Sequence, residues 1–204
     1  MRSLVEAREI TKMHGRGILE TLKTYESLFP AEKEMVARIR NLVQTHPDCF
    51  DRTCLPGHIT GSAWIISPDR SRYLLTHHRK LNRWLQVGGH ADSETVPHQV
   101  ALREAEEESG MTGLRFVETA GLLIPLDVDV HYIPPRKSEQ AHEHHDLRYF
   151  LIAMDGQEIS ASDESHDVRW FTVDELVSVT DEPGILRMLH KSEQLMEKGF
   201  NHQV

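Results

Sequence analysis

No segment of these 204 residues approaches the run of about 18 apolar residues that suggests a membrane span. Repeats and low-complexity tracts are absent as well. Cysteine is scarce, with only Cys49 and Cys54. These two could pair in principle, but a reducing compartment keeps such residues as thiols, and two alone leave a zinc site incomplete. The stretch from Met1 to Glu9 lacks the apolar core of a signal peptide, so a cytoplasmic location is expected. Positive charge is also in short supply: 23 Lys and Arg face 32 Asp and Glu, a net charge of −9 with histidines neutral. Such a surface has no general attraction for a phosphate backbone, so neither extended nucleic acid nor a membrane is an expected partner.

What the chain does have divides near residue 54. Residues 1–54 read as a helical N-terminal extension and 55–204 as the main domain. Ile18–Phe29 carries apolar residues at helical intervals up to a break at Pro30, and Ala31–Thr45 is a second amphipathic helix. They pack on the main domain or on a second subunit, which would make a homodimer. From His58 the pattern turns to strands: Ile59–Ile66, Tyr73–His77, Trp84–Val87, Leu114–Thr119, Leu122–Tyr132 and Leu147–Met154. Thr172 reads as the cap of a helix, and a last helix runs from about Gly184 to Lys198.

The segment between Gly88-Gly89 and Met111 concentrates charge of one sign. Glu104, Glu107 and Glu108 fall three and four residues apart, so a helix projects them together. Like charges on one face repel, and a positive partner is expected there. Hard oxygen donors favour Mg²⁺, Mn²⁺ or Ca²⁺, and Mg²⁺ usually pairs carboxylates with substrate phosphates. Thr95 reads as the N-cap of this helix, with Pro97 in its first turn and Gly110 as its left-handed stop.

The spacing of Gly89, Arg103, Glu104, Glu107, Glu108, Gly110 and Met111 resembles the Nudix hydrolase signature, Gly-x5-Glu-x7-Arg-Glu-U-x-Glu-Glu-x-Gly-U, where U is a bulky apolar residue. Ala105 is small for a U position. Thr95 stands where the first glutamate belongs, with Glu94 one position early, which bears on loop geometry more than on metal binding. The resemblance implies an α/β/α sandwich with a mixed sheet over residues 55 to 200. It also implies Mg²⁺-dependent hydrolysis, with Mn²⁺ as an alternative, of a small pyrophosphate such as a nucleoside diphosphate derivative.

Under that resemblance Glu104, Glu107 and Glu108 are metal ligands, and Glu107 or Glu108 polarises water. Arg103 orients the carboxylates, and Gly88 and Gly89 allow close approach to metal and phosphate. Glu164, beside Asp163 and His166, is a candidate base or extra ligand, although a solvated acidic loop explains it equally. His77, His78, Arg79, Lys80 and Arg83 form a basic stretch suited to a phosphate ester, and a solvated hairpin explains the same residues. Tyr132 and Arg148 are weaker candidates for base or phosphate contact. The clusters His77-His78 and His142–Asp146 could bind phosphate or a second metal. Two other readings share the fold: a catalytically silent ligand sensor, and an isopentenyl diphosphate isomerase-like enzyme. The first has little use for crowded carboxylates; the second needs a cysteine, and Leu55 to Val204 contains none.

Overall fold

Two helices lead the chain, Leu4–Leu28 (α1) and Lys33–Thr45 (α2), separated by a 3-10 turn at Pro30–Glu32. The break falls at the expected proline, which has no N–H to continue the first helix. The computed structural model describes residues 4–136, 139–163 and 165–198, with side chains from Arg16 onward. After the helices come four strands, Gly57–Ile66 (β1), Tyr73–His78 (β2), Arg83–Leu85 (β3) and Val87–His90 (β4), and the acidic helix Pro97–Ser109 (α3). Strands Leu114–Phe116 (β5), Asp127–Ile133 (β6), His142–Ala153 (β7) and Ser165–Phe171 (β8) precede the helices Val173–Val179 (α4) and Pro183–Glu197 (α5).

Among the described residues the strands form one mixed sheet. β1 and β7 run parallel from Gly57 opposite Glu143 to Ile66 opposite Ile152, and the other pairs are antiparallel. β1 is buried along its whole length, because both faces of the sheet are covered. Ile59, Ala63 and Ile65 face a cluster shared with α1, α2 and α3, whereas Trp64 and Ile66 meet Phe150, Phe171, Leu176, Ile185 and Met188 beneath α4 and α5. The result is the expected sandwich. Ile18, Leu22 and Tyr25 of α1 and Val36, Ile39 and Leu42 of α2 are buried in the first cluster, so these helices pack on the sheet of their own chain.

Gly61 sets how close α3 can come to β1. A Cβ there would lie 2.7 Å from the Pro97 carbonyl oxygen and 2.9 Å from the Ala101 nitrogen, both backbone atoms with little freedom to retreat. Gly61→Ala is expected to cost about 1–3 kcal/mol through overpacking, read as a lower urea midpoint. An unchanged midpoint would mean that α3 is not seated as described.

Several boundaries differ from the sequence expectation, each for a local reason. Trp84–Val87 is not one strand: it divides at Gln86, since β3 pairs with β2 and β4 pairs with β1. The acidic helix starts after Val96, not Thr95, and no side chain caps it; the Val96 carbonyl instead accepts the Gln99 N–H at 2.9 Å. The expected strand from Leu122 begins only at Asp127. Thr119 and Leu122 close a turn through left-handed Ala120 and Gly121. β7 reaches back to His142, so the histidine cluster lies in the sheet. Thr172 does cap α4, in a capping box with Glu175. Gly110, at φ 73°, ends α3 as expected.

Candidate active site

α3 brings Glu104 and Glu108 against β4, and holds Glu107 beside them toward solvent. Gly89 leaves room for the first of them: a Cβ at this position would overlap the Glu104 carboxylate. The Gly88 N–H donates to Glu108 Oε1 at 3.0 Å, tying the glycine pair to the end of the helix. Arg103 binds the group together, donating to Glu104 Oε1 at 2.7 Å, Glu107 Oε2 at 3.3 Å and the His90 carbonyl at 2.9 Å. Its Nε lies 3.6 Å from Glu94. The early glutamate thus reaches the arginine although Thr95 holds the expected position. Burial works against the Arg103 charge, but Glu104, then Glu107 and Glu94, hold the guanidinium above its ordinary value. The Glu107 side chain is 60% exposed and that of Glu104 15%. A cradled carboxylate beside an open one, all oxygen donors, suits a hard divalent cation.

The basic stretch and the late acidic loop come together at β2 and β8, where Arg79 meets Ser165, 86 residues further on. His78 pairs with Ser165, and Arg79 donates to the Ser165 carbonyl at 3.0 Å. The His77 ring lies tilted 4.9 Å from that of Trp84 and 5.5 Å, ring to ring, from His166. Arg83 is exposed and 3.7 Å from Glu182. Glu164 lies outside the described residues.

Arg148 belongs to a buried ionic network that spacing in the sequence does not announce. It donates to Asp146 at 2.8 Å, Asp129 at 2.9 Å and Asp127 at 3.2 Å. Arg187 and Lys191 add bonds to Asp127, and Thr60 and Ser62 donate to Asp146. Three carboxylates already engage Arg148, so contact with a substrate phosphate is not its role; Tyr132 is largely exposed. Cys49 and Cys54 are buried free thiols, each pushed up to about 12, chiefly by burial.

Two buried histidines give the stability a pH signature. Burial lowers His58 and His145 from the ordinary 6.5 to about 4. Between those values the unfolded chain binds protons that the folded chain refuses, so stability rises with pH across the window. It is fully present above about 6.5 and lost as pH falls toward about 4. Urea midpoints of chelator-treated, metal-free protein across this range should decline with acidity, and a flat profile would contradict the lowered protonation of these rings.

The NUDIX domain family model matches residues 58–191, and the chain belongs to this family. Solved structures agree in fold. A NUDIX family hydrolase from Clostridium perfringens aligns with a TM-score of 0.54 at 22% identity, over 68% of this chain and 98% of the other. A C. elegans Ap4A hydrolase aligns with a TM-score of 0.56 at 16% identity, over 69% and 98%. The Nudix hydrolase RenU from M. smegmatis aligns at 0.50 and 18%, over 69% and 86%. None of the curated proteins compared with the chain matches it.

Proposed function

We propose that the chain hydrolyses a pyrophosphate bond in a nucleoside diphosphate derivative or related small organic pyrophosphate, with Mg²⁺ or Mn²⁺. The observation that carries this reading is the packing of Glu104 and Glu108 against Gly88-Gly89, with Arg103 bridging Glu104 to the exposed Glu107. Glu104, Glu107 and Glu108 would hold the cation, whose charge, when bound, offsets that of the phosphate oxygens. Arg103 keeps Glu104 and Glu107 in register. Glu107 or Glu108 accepts the proton of the attacking water as its oxygen bonds to phosphorus and the bridging P–O bond breaks. Glu164 is a further candidate for that proton. His77, Arg79 and Arg83 offer cationic or hydrogen-bonding groups to the distal part of the substrate.

The test is a screen of purified protein with Mg²⁺ or Mn²⁺ against nucleotide sugars, dinucleoside polyphosphates, nucleoside triphosphates and coenzyme A. Phosphate is followed after phosphatase coupling. The Ap4A activity named for the C. elegans relative makes dinucleoside polyphosphates a reasonable first arm. Turnover supports hydrolysis. Tight binding without turnover would point to a sensor, and interconversion of allylic diphosphates without phosphate release to an isomerase.

A further inference from the structure

A second set of donors lies on the opposite face of β4 from the carboxylates. His90 is opposite Thr60 on β1, and His58 is opposite His144 on β7. Strand alternation therefore turns His58, His90, His144 and His142 to one face. The rings of His58, His90 and His144 lie 4.8–5.2 Å apart, centroid to centroid. One ligand nitrogen from each lies within 4.8 Å of the others. His142 Nε2 is 3.3 Å from His144 Nε2, about the spacing of two imidazoles on a tetrahedral ion with bonds of about 2.0–2.1 Å. A hydrogen bond between those two rings would explain that pair, but it leaves His58 unexplained.

His58 is only 1% exposed, and neither of its ring nitrogens makes a well-formed hydrogen bond. The nearby Cys54 carbonyl gives the ring weak backing at most. A buried polar ring without a firm partner is uncommon and calls for one. Four imidazoles gathered on one face present ring nitrogens as the donor set, the type that suits a borderline metal ion. Outer partners fix the flanking rings: His142 Nδ1 meets the Gln140 carbonyl at 2.8 Å, and His131 Nδ1 meets Asp129 at 3.1 Å. Arg52, the nearby cation, is held by Asp92 through two bonds.

We propose that His58, His90 and His144 bind a borderline transition-metal ion, Zn²⁺ foremost, with His142 or water in the fourth position, at a site separate from the carboxylates of α3. Ring rotations that shift the nitrogens by about 1 Å close the set, since histidine χ2 is broad. Imidazole donors select zinc over magnesium. The ion ties β1, β4 and β7 together, and the His90 carbonyl passes that restraint to Arg103.

The test uses the tag-free full chain, stripped with chelator and titrated with Co²⁺ and then Zn²⁺ in excess Mg²⁺. The expected result is one equivalent of Co²⁺ with the intense visible bands of a low-coordinate nitrogen site, displaced by Zn²⁺. His90→Gln and His144→Gln should each weaken uptake by more than the about 10–100-fold that loss of an outer partner costs, whereas a Glu107→Gln/Glu108→Gln variant retains it. X-ray absorption at the zinc edge of the wild-type protein should show imidazole outer-shell scattering, and this readout stands even if a histidine variant misfolds. An oxygen-only shell, no uptake, or loss of uptake in the glutamate variant but not in the histidine variants would overturn the proposal. None of these outcomes depends on which substrate the carboxylate site takes.

Discussion

Glu107→Gln and Glu108→Gln should each lower turnover by about 10²–10⁴-fold on whichever pyrophosphate the chain hydrolyses. Their folding should barely change. Glu107 is mostly exposed, so its amide costs little. Glu108→Gln keeps an oxygen that can accept the Gly88 N–H while losing the negative charge. Separating those two properties makes the experiment informative, because stability reports the hydrogen bond and turnover reports the charge. The two losses need not add in the double variant, since groups acting as a unit are not independent. Steady-state rates across a Mg²⁺ titration, alongside urea midpoints, provide the check. Turnover within tenfold of wild type in both variants would remove these carboxylates from the chemistry.

The largest stability effect is expected at Arg148. Arg148→Met leaves Asp127, Asp129 and Asp146 short of a counter-charge beneath α5, and breaking a buried pair in this way costs about 3–5 kcal/mol. Its pH dependence separates lost charge from lost packing. Burial opposes ionisation of Asp129, but the His131 hydrogen bond and Arg148 win and hold its carboxyl well below the usual range. A depressed carboxylate stabilises the fold above its unfolded value of about 3.9, and this contribution fades as pH falls through the lower folded value. In Arg148→Met the Asp129 carboxyl loses one of the groups that hold it low and takes up a proton more readily. The deficit against wild type should therefore be largest near neutrality and shrink in acid, whereas a simple packing defect would persist at every pH.

Much of this was legible from the chain alone. The glutamate spacing, Gly110 and the Thr172 cap act within a few residues, and a local pattern is enough to read them. The proline break between α1 and α2 is legible for the same reason. The failures share a different cause. Trp84–Val87 reads as one strand because sequence periodicity does not show that its two ends pair with different neighbours. His142 and His144 draw attention as a cluster, but His58 and His90 become their companions only through the register of β1 with β7 and β4. Arg148 reads as an available cation until Asp127, Asp129 and Asp146 converge on it. Long-range register is what the sequence withholds.

The parallel pairing of β1 with β7 also bears on how the chain comes into being. Partners such as Thr60 and Asp146 are 86 residues apart, so the centre of the sheet must wait for that loop to close, and contacts of this kind slow folding. During synthesis β1 emerges well before its parallel neighbour, with its apolar residues open to wrong associations until residue 152 clears the ribosome. The helices ahead of it are available first, and their apolar faces can shelter one side of β1 in the meantime.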